Sequence, residues 1–171
     1  VRTLQMPVFS TQMSVGENLL VAAETLGVAN PCRRVDETLS AIGLSRARDA
    51  SVEKLSWGQA KLVDLGRVLV SDPQNLLLDE PAAGLAPSVL PVLTGILEGI
   101  RSRGCSILIV EHNIPFVMPL ADRVVVLEHG RVTQSGTHEE LCSRDGLYRR
   151  LWHIQNKEDS LTESTEVGKC T

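Results

Sequence analysis

Apolar positions in the first part of the chain recur at helical spacing. A capping box opens a predicted helix over residues 14–27, and a second short helix is predicted over residues 33–44. Ser56 and Gln59 form another capping box, which opens a helix whose apolar residues fall on one side. We expect this helix to end before Pro73, because proline disfavours helical geometry in the residue that precedes it.

Two short, continuous apolar runs follow, "NLLLDE" and "CSILIVEH". Such runs are typical of strands that are covered on both faces in a parallel sheet. The segment between them, residues 87–104, has prolines near its start and a glycine at its end, which predicts a helix. Strand, helix and strand in this order form a right-handed βαβ unit by default. The predicted fold class is therefore α/β.

The last part of the chain has a different pattern. Two strands are predicted around His129-Gly130, a dipeptide that indicates a hairpin turn. A third capping box, at Thr137, opens a final helix that we expect to run over residues 137–155. Residues 156–171 are polar and acidic without an apolar period, which predicts a disordered tail.

Composition excludes several classes of protein. A chain of 171 residues with 43% hydrophobic residues can bury a core, and its formal charge of −4 argues against nucleic-acid binding. No apolar run reaches the roughly 18–20 residues that cross a bilayer. The four cysteines are scattered without a Cys-x-x-Cys pair, so the sequence predicts neither a zinc site nor another metal cluster.

The candidate chemistry begins with two adjacent carboxylates at the end of a predicted buried strand, Asp79 and Glu80. Phosphoryl transfer from a nucleotide needs Mg²⁺, a positioned water and donors that hold phosphate charge. An Asp at this point can hold the water shell of the ion, and a neighbouring Glu can deprotonate the attacking water. The alternative is that these acidic residues only begin a loop.

Three further places are candidates from the residues alone. Ser56 to Gly58 lie at a helix N-terminus, which favours an anion, although an ordinary N-cap explains them as well. His112 follows one apolar strand as Glu80 follows the other, and ligands collect at such carboxyl ends. A structural histidine is the alternative there. Gln5 follows an extended segment and offers a carboxamide.

Five motifs, in the same order, resemble the nucleotide-binding subunit of ATP-binding cassette (ABC) transporters. "TLQ" resembles the Q-loop, "LSWGQ" the signature, "NLLLDEP" the Walker B strand, "PAAGLAP" the D-loop and "IVEH" the H-loop. The resemblance covers about residues 1–151. It implies a P-loop NTPase-like parallel sheet with a helical subdomain insert. The implied segments of a partial domain 1–155 are the Q-loop (1–10), the helical subdomain (14–60), the sheet region (61–136) and the C-terminal helix (137–155).

The resemblance also implies ATP and Mg²⁺ as cofactors and gives each candidate a role. Gln5 and Asp79 would support Mg²⁺, Glu80 would be the general base, and His112 would contact the terminal phosphate. The signature residues would act on a nucleotide held by a second subunit in a head-to-tail dimer; they are Ser56, Trp57, Gly58 and Gln59. Transmembrane permease subunits would be further partners, with the ATPase on the cytoplasmic, inner face of the membrane.

The segments "SVGENLLVAA", "LSWGQAKL" and "EPAAGL" resemble the ATPases of branched-chain amino acid importers, in which an aromatic residue often stands where Trp57 does. ABC relatives that act on DNA insert long coiled coils between the Q-loop and the signature. Residues 6–54 show no sustained heptads, so that alternative is poor.

The sequence departs from the family pattern in two places. No G-x-x-x-x-G-K-[ST] phosphate loop occurs in the chain, and Ala86 stands where the D-loop commonly has Asp. We expect an N-terminally incomplete ATPase, inactive by itself, with apolar sheet surface left uncovered. The alternative is a non-catalytic ABC-like interaction module that binds a membrane subunit or a catalytic partner.

Overall fold

The computed structural model of the chain describes the backbone of residues 9–166 and the side chains of residues 9–156. Contacts divide the chain into two compact units, Val1–Glu111 and His112–Thr171. Each unit is described by itself below. Gln5 and the end of the predicted tail, residues 167–171, lie outside the described residues.

The first unit begins with three helices that bury one another's apolar faces. The capping boxes predicted at Ser14 and Ser56 are both formed, with each serine hydroxyl accepting from the backbone N–H three residues later. The second helix begins earlier than predicted, at Pro31, because proline suits the first helical position and Asn30 turns the chain in left-handed geometry. The three helices are α1 (Val15–Thr25), α2 (Pro31–Ala41) and α3 (Trp57–Leu69).

The predicted strand–helix–strand unit follows α3. Strand β1 (Asn75–Asp79) pairs in parallel with β2 (Ser106–Val110), and the register places Asp79 opposite Val110. Helix α4 (Leu90–Ser102) connects them and is preceded by a short 3₁₀ turn, Pro87–Val89. The prediction of parallel strands joined by a helix is confirmed.

The prediction that both faces of these strands are covered is wrong for the part of the chain that the structure describes. Leu76 and Leu78 are buried, but Leu77, Leu108 and Val110 are 42%, 61% and 55% exposed. Side chains alternate between the two faces of a strand, so within the described residues the face of β1 that carries Leu76 and Leu78 is covered, and the face that carries Leu77 is exposed. The expectation of uncovered apolar sheet surface is met.

The second unit contains the predicted hairpin. After a short helix, α5 (Ile114–Val117), strands β3 (Val124–Glu128) and β4 (Arg131–Gly136) pair antiparallel. His129 and Gly130 both have positive φ, of 49° and 76°. This geometry fits a two-residue turn whose twist matches that of the flanking strands.

The predicted final helix is wrong in its continuity. It is divided into α6 (His138–Ser143) and α7 (Leu147–Glu166), because Arg144 adopts an extended conformation between them. The side chain of Gln134 then accepts from the backbone N–H of Tyr148 and supports the first turn of α7. The helical backbone of α7 continues past the predicted boundary at residue 155, which corrects the start of the tail. Within the described residues, no helix combines the length and apolar character needed to cross a membrane.

Candidate functional site

The paired carboxylates lie where a buried strand ends. Leu76 and Leu78 are 0% and 2% exposed and hold β1 against the core, so the strand delivers Asp79 and then Glu80 at its carboxyl end. Both acidic residues are half-buried. The structure therefore places these two predicted site residues side by side at the edge of the parallel pair.

Glu80 has an unusual backbone conformation. Its φ is 46°, in the left-handed region that non-glycine residues seldom adopt. Its backbone N–H donates to the carbonyl oxygen of Val110 at 2.9 Å, which extends the strand pairing by one residue. The turn that follows therefore leaves the sheet sharply at the position where the candidate base stands.

Lys61 of α3 binds this turn and was missed by the sequence reasoning. Its Nζ donates to the carbonyl oxygens of Glu80, Pro81 and Ala83, at 3.3, 3.5 and 2.6 Å. Partial burial lowers the pKa of Lys61, against the opposing effect of nearby carboxylates, of which Glu111 is the largest contributor. The sequence shows that Lys61 lies on α3 just beyond the signature motif. No local pattern in the sequence, however, indicated which backbone carbonyl groups its side chain would bind.

Glu111 was also missed and holds the same turn from the end of β2. Its Oε1 accepts from the backbone N–H of Ala82 at 2.8 Å. Lys61 thus binds carbonyl groups, and Glu111 binds an N–H group, of the same short segment after β1. A cavity of about 30 Å³ beside this segment is lined in part by Lys61, Asp79 and Glu80.

The N-terminus of α3 is exposed and polar. Ser56 Oγ accepts from the backbone N–H of Gln59 at 3.3 Å, and Gln59 Oε1 accepts from the backbone N–H of Ser56 at 2.9 Å. A hydroxyl group has one proton and two acceptor positions, so Ser56 can cap the helix and still donate to an anion. The cap and the ligand interpretations of Ser56 are therefore compatible.

Trp57 and Gly58 bring α3 close to the segment after the carboxylates. Trp57 is 47% exposed, and its Nε1 lies 3.1 Å from where a Cβ on Gly84 would stand. A Cβ on Gly58 would lie 3.3 Å from a methyl group of Val89. Both glycines thus permit close approach, so the signature and D-loop segments lie beside each other in the first unit.

His112 is the first residue of the second unit, and its side chain is exposed. Its carbonyl oxygen accepts from Gln155 Nε2 at 2.8 Å, while Gln155 Oε1 accepts from the backbone N–H of Ile114 at 2.9 Å. Gln155 of α7 therefore fixes the backbone around His112. The structure groups the other described candidates in the first unit; they are Ser56, Trp57, Gly58, Gln59, Asp79 and Glu80.

The donor set at the end of β1 fits Mg²⁺. Within the described residues, no group of three or more His, Cys, Asp or Glu side chains could hold a metal ion. Mg²⁺ nonetheless fits one or two carboxylates, because it keeps several waters and binds substrate phosphates as its other ligands. Asp79, half-buried at the strand end, supplies an oxygen of the kind that this ion prefers.

The ABC transporter family matches residues 2–83, which include the signature helix and the paired carboxylates. The lipopolysaccharide export system ATP-binding protein LptB of Acidithiobacillus ferridurans is 31% identical over 150 residues, 86% of this chain and 62% of LptB. The chain carries part of an ABC transporter ATP-binding domain. The energy-coupling factor transporter ATP-binding protein EcfA2 of Symbiobacterium thermophilum is 41% identical over 120 residues, 70% of this chain and 42% of EcfA2.

Solved structures agree with this membership. An ATP-binding cassette of an ABC transporter matches with a TM-score of 0.73 and 30% identity, and its ADP conformation with a TM-score of 0.68 and 32% identity. Each match covers 82% of this chain and 61% of the solved chain. The fold is the α/β, P-loop NTPase-like fold of ABC ATPase cassettes. This ABC chain spans about three fifths of the length of LptB and of the solved cassette.

Proposed function

We propose that this chain is part of the ATP-binding and ATP-hydrolysing subunit that energises solute transport by an ABC transporter. The observation that supports this most is the Asp79–Glu80 pair at the end of β1, in the same compact unit as the exposed N-terminus of α3. A buried strand ending in two acidic residues offers one carboxylate for a cation and another for a proton.

In the proposed reaction each residue performs one task on ATP in the complete protein. The Mg²⁺–ATP pair, when bound, supplies the phosphoryl group and the neutralisation of its charge. Asp79 and Gln5 would hold the cation through their side-chain oxygens or through its waters. A carboxylate oxygen of Glu80 accepts the proton of the attacking water, and the imidazole of His112 contacts the terminal phosphate.

The signature residues serve a second nucleotide in this proposal. The hydroxyl group of Ser56 donates a hydrogen bond to a phosphate oxygen. The backbone N–H groups near Gly58 and the helix dipole favour the negative charge of that phosphate. Gln59 maintains the cap, and Trp57 presents its ring beside the nucleotide. Because these residues act on ATP held by another subunit, the active form is a head-to-tail dimer. Permease subunits in the membrane, with the ATPases on its cytoplasmic face, complete the transporter.

We further propose branched-chain amino acids or similar small solutes as the cargo. The support is the likeness of "LSWGQAKL" and "EPAAGL" to that importer branch, including the aromatic residue at Trp57. The relatives LptB and EcfA2 are named for lipopolysaccharide export and for an energy-coupling factor transporter. Transport assays with radiolabelled leucine and with an unrelated solute distinguish this cargo from others.

The test of the catalytic proposal is Glu80→Gln in the complete transporter. The amide keeps the size and backbone contacts of Glu80 but cannot accept the water proton, so we expect turnover to fall about 10²–10⁴-fold while ATP still binds. The matched control is Glu98→Gln, an exposed glutamate of α4, which should hydrolyse ATP at the unaltered rate. Phosphate release and ATP binding are measured for both variants. Normal turnover of Glu80→Gln would overturn the role given to Glu80.

A further inference from the structure

The turn after Glu80 is held by side chains from two other elements of the first unit. Lys61 reaches it from α3 and Glu111 from the end of β2. The backbone N–H of Glu80 itself donates to Val110, so the residue is fixed on its N-terminal side by the sheet. On its C-terminal side, its carbonyl group is fixed by Lys61.

The Lys61 contacts match the number of its donors. An ammonium group has three N–H bonds, and the structure gives its Nζ three backbone carbonyl acceptors, on Glu80, Pro81 and Ala83. The shortest contact, 2.6 Å to Ala83, and the contact with Glu80 span the turn. These acceptors are neutral main-chain atoms of one segment. The contacts therefore fix the path of that backbone segment and also hold the Lys61 ammonium group beside it.

The side chain of Glu80 leaves a backbone that these contacts constrain. In the left-handed conformation of Glu80, the Cα–Cβ bond points in a different direction from the one it would have in an extended strand. Withdrawal of the Lys61 contact would leave the carbonyl of Glu80 with the backbone N–H of Ala83 as its partner, at 3.1 Å, and the turn would lose its link to α3. Glu111 would still hold the backbone N–H of Ala82, so we expect the turn to loosen on the side that faces α3. The carboxylate would then lose its fixed direction while the sheet and α3 stayed in place.

We propose that Lys61 is a positioning residue for ATP hydrolysis, which fixes the backbone after Glu80 and so aims the Glu80 carboxylate at the attacking water. This inference rests on the proposed role of Glu80 as the general base. Lys61 acts through Glu80 and has no contact with the nucleotide in this proposal. Its loss should therefore lower kcat and leave the binding of ATP nearly unchanged.

The experiment compares Lys61→Met, Lys61→Arg and the control Lys54→Met in the complete transporter. Met keeps the length of the side chain without its donors, and misplacement of the base should lower kcat about 10- to 100-fold with KM for ATP within about twofold. Arg keeps the charge and donors and should recover part of that loss. Lys54 is exposed, so Lys54→Met should retain the original kcat. Thermal unfolding is followed for every variant.

The outcomes separate this inference from the proposed function. Inactive Glu80→Gln together with fully active Lys61→Met would overturn the role of Lys61 alone. Normal turnover of Glu80→Gln would overturn both. A loss in Lys61→Met that raises KM as much as it lowers kcat, or that Lys61→Arg does not relieve, would show a merely structural lysine. If Lys61→Met does not fold, Lys61→Gln replaces it, with turnover expressed per molecule of bound ATP.

Discussion

The two serine capping boxes allow the cap and ligand roles of Ser56 to be measured separately. Ser14 on α1 and Ser56 on α3 each accept from the backbone N–H three residues later, at 3.2 and 3.3 Å. Replacement of either serine by alanine removes one N-cap bond, which costs about 1 kcal/mol of stability. In a domain of 150–250 residues that corresponds to a fall in Tm of about 2–4 °C. Ser14→Ala is therefore a matched stability control for Ser56→Ala.

Only Ser56→Ala should affect turnover. A hydrogen bond to a charged group contributes about 1.5–3 kcal/mol, so loss of the hydroxyl donor to a phosphate should lower kcat/KM about 10- to 100-fold. Ser14→Ala should keep the original kcat/KM despite its lower Tm, and Ser56→Thr should keep most of it because the hydroxyl remains. Phosphate release against ATP concentration, in the complete transporter, gives the comparison. Equal kcat/KM for Ser14→Ala and Ser56→Ala at equal Tm would show that Ser56 is a helix cap alone.

Two further predictions concern stability and use the same thermal and denaturant measurements. Leu97→Ala on α4 should lower the free energy of unfolding by about 2–5 kcal/mol, because the side chain is fully buried. Val92→Ala on the same helix, where Val92 is 48% exposed, should change it by less than about 0.5 kcal/mol, and equal losses would contradict the assigned core. Burial raises the pKa of Tyr148 above its usual value near 10. The native state therefore favours the neutral phenol, and the stability that this provides is present below pH 10 and lost as pH rises through the higher native pKa. The stability advantage of the original protein over Tyr148→Phe should thus shrink above pH 10, and a constant difference would contradict this.

Local signals in the sequence predicted much of the fold. The boxes at Ser14, Ser56 and Thr137 placed three helix starts, because the bonds that form them join residues close in sequence. The His129-Gly130 dipeptide placed the hairpin for the same reason. The break between α6 and α7 was missed although an Asp-Gly pair lies within it, because the apolar period continued on both sides.

Contacts between distant residues were the part that the sequence did not indicate. The strand ending in Asp79 and Glu80 was predicted from its apolar run, but the Lys61 contact joins residues 19 to 22 positions apart. No periodic pattern of apolar and polar residues indicates which main-chain carbonyl groups a lysine side chain will bind. Burial of both sheet faces was also expected from the two continuous apolar runs alone, whereas burial depends on what packs against each face.

The left-handed backbone of Glu80 implies that thermal stability and catalysis favour different residues at position 80. An L-residue in this region costs roughly 1–2 kcal/mol that glycine avoids. Glycine would thus be the residue that best suits the backbone at position 80, yet it has no carboxylate to accept a proton. A search for more heat-resistant variants of this chain would select away from the proposed base. Selection for stability should therefore be paired with an activity screen whenever position 80 is allowed to vary.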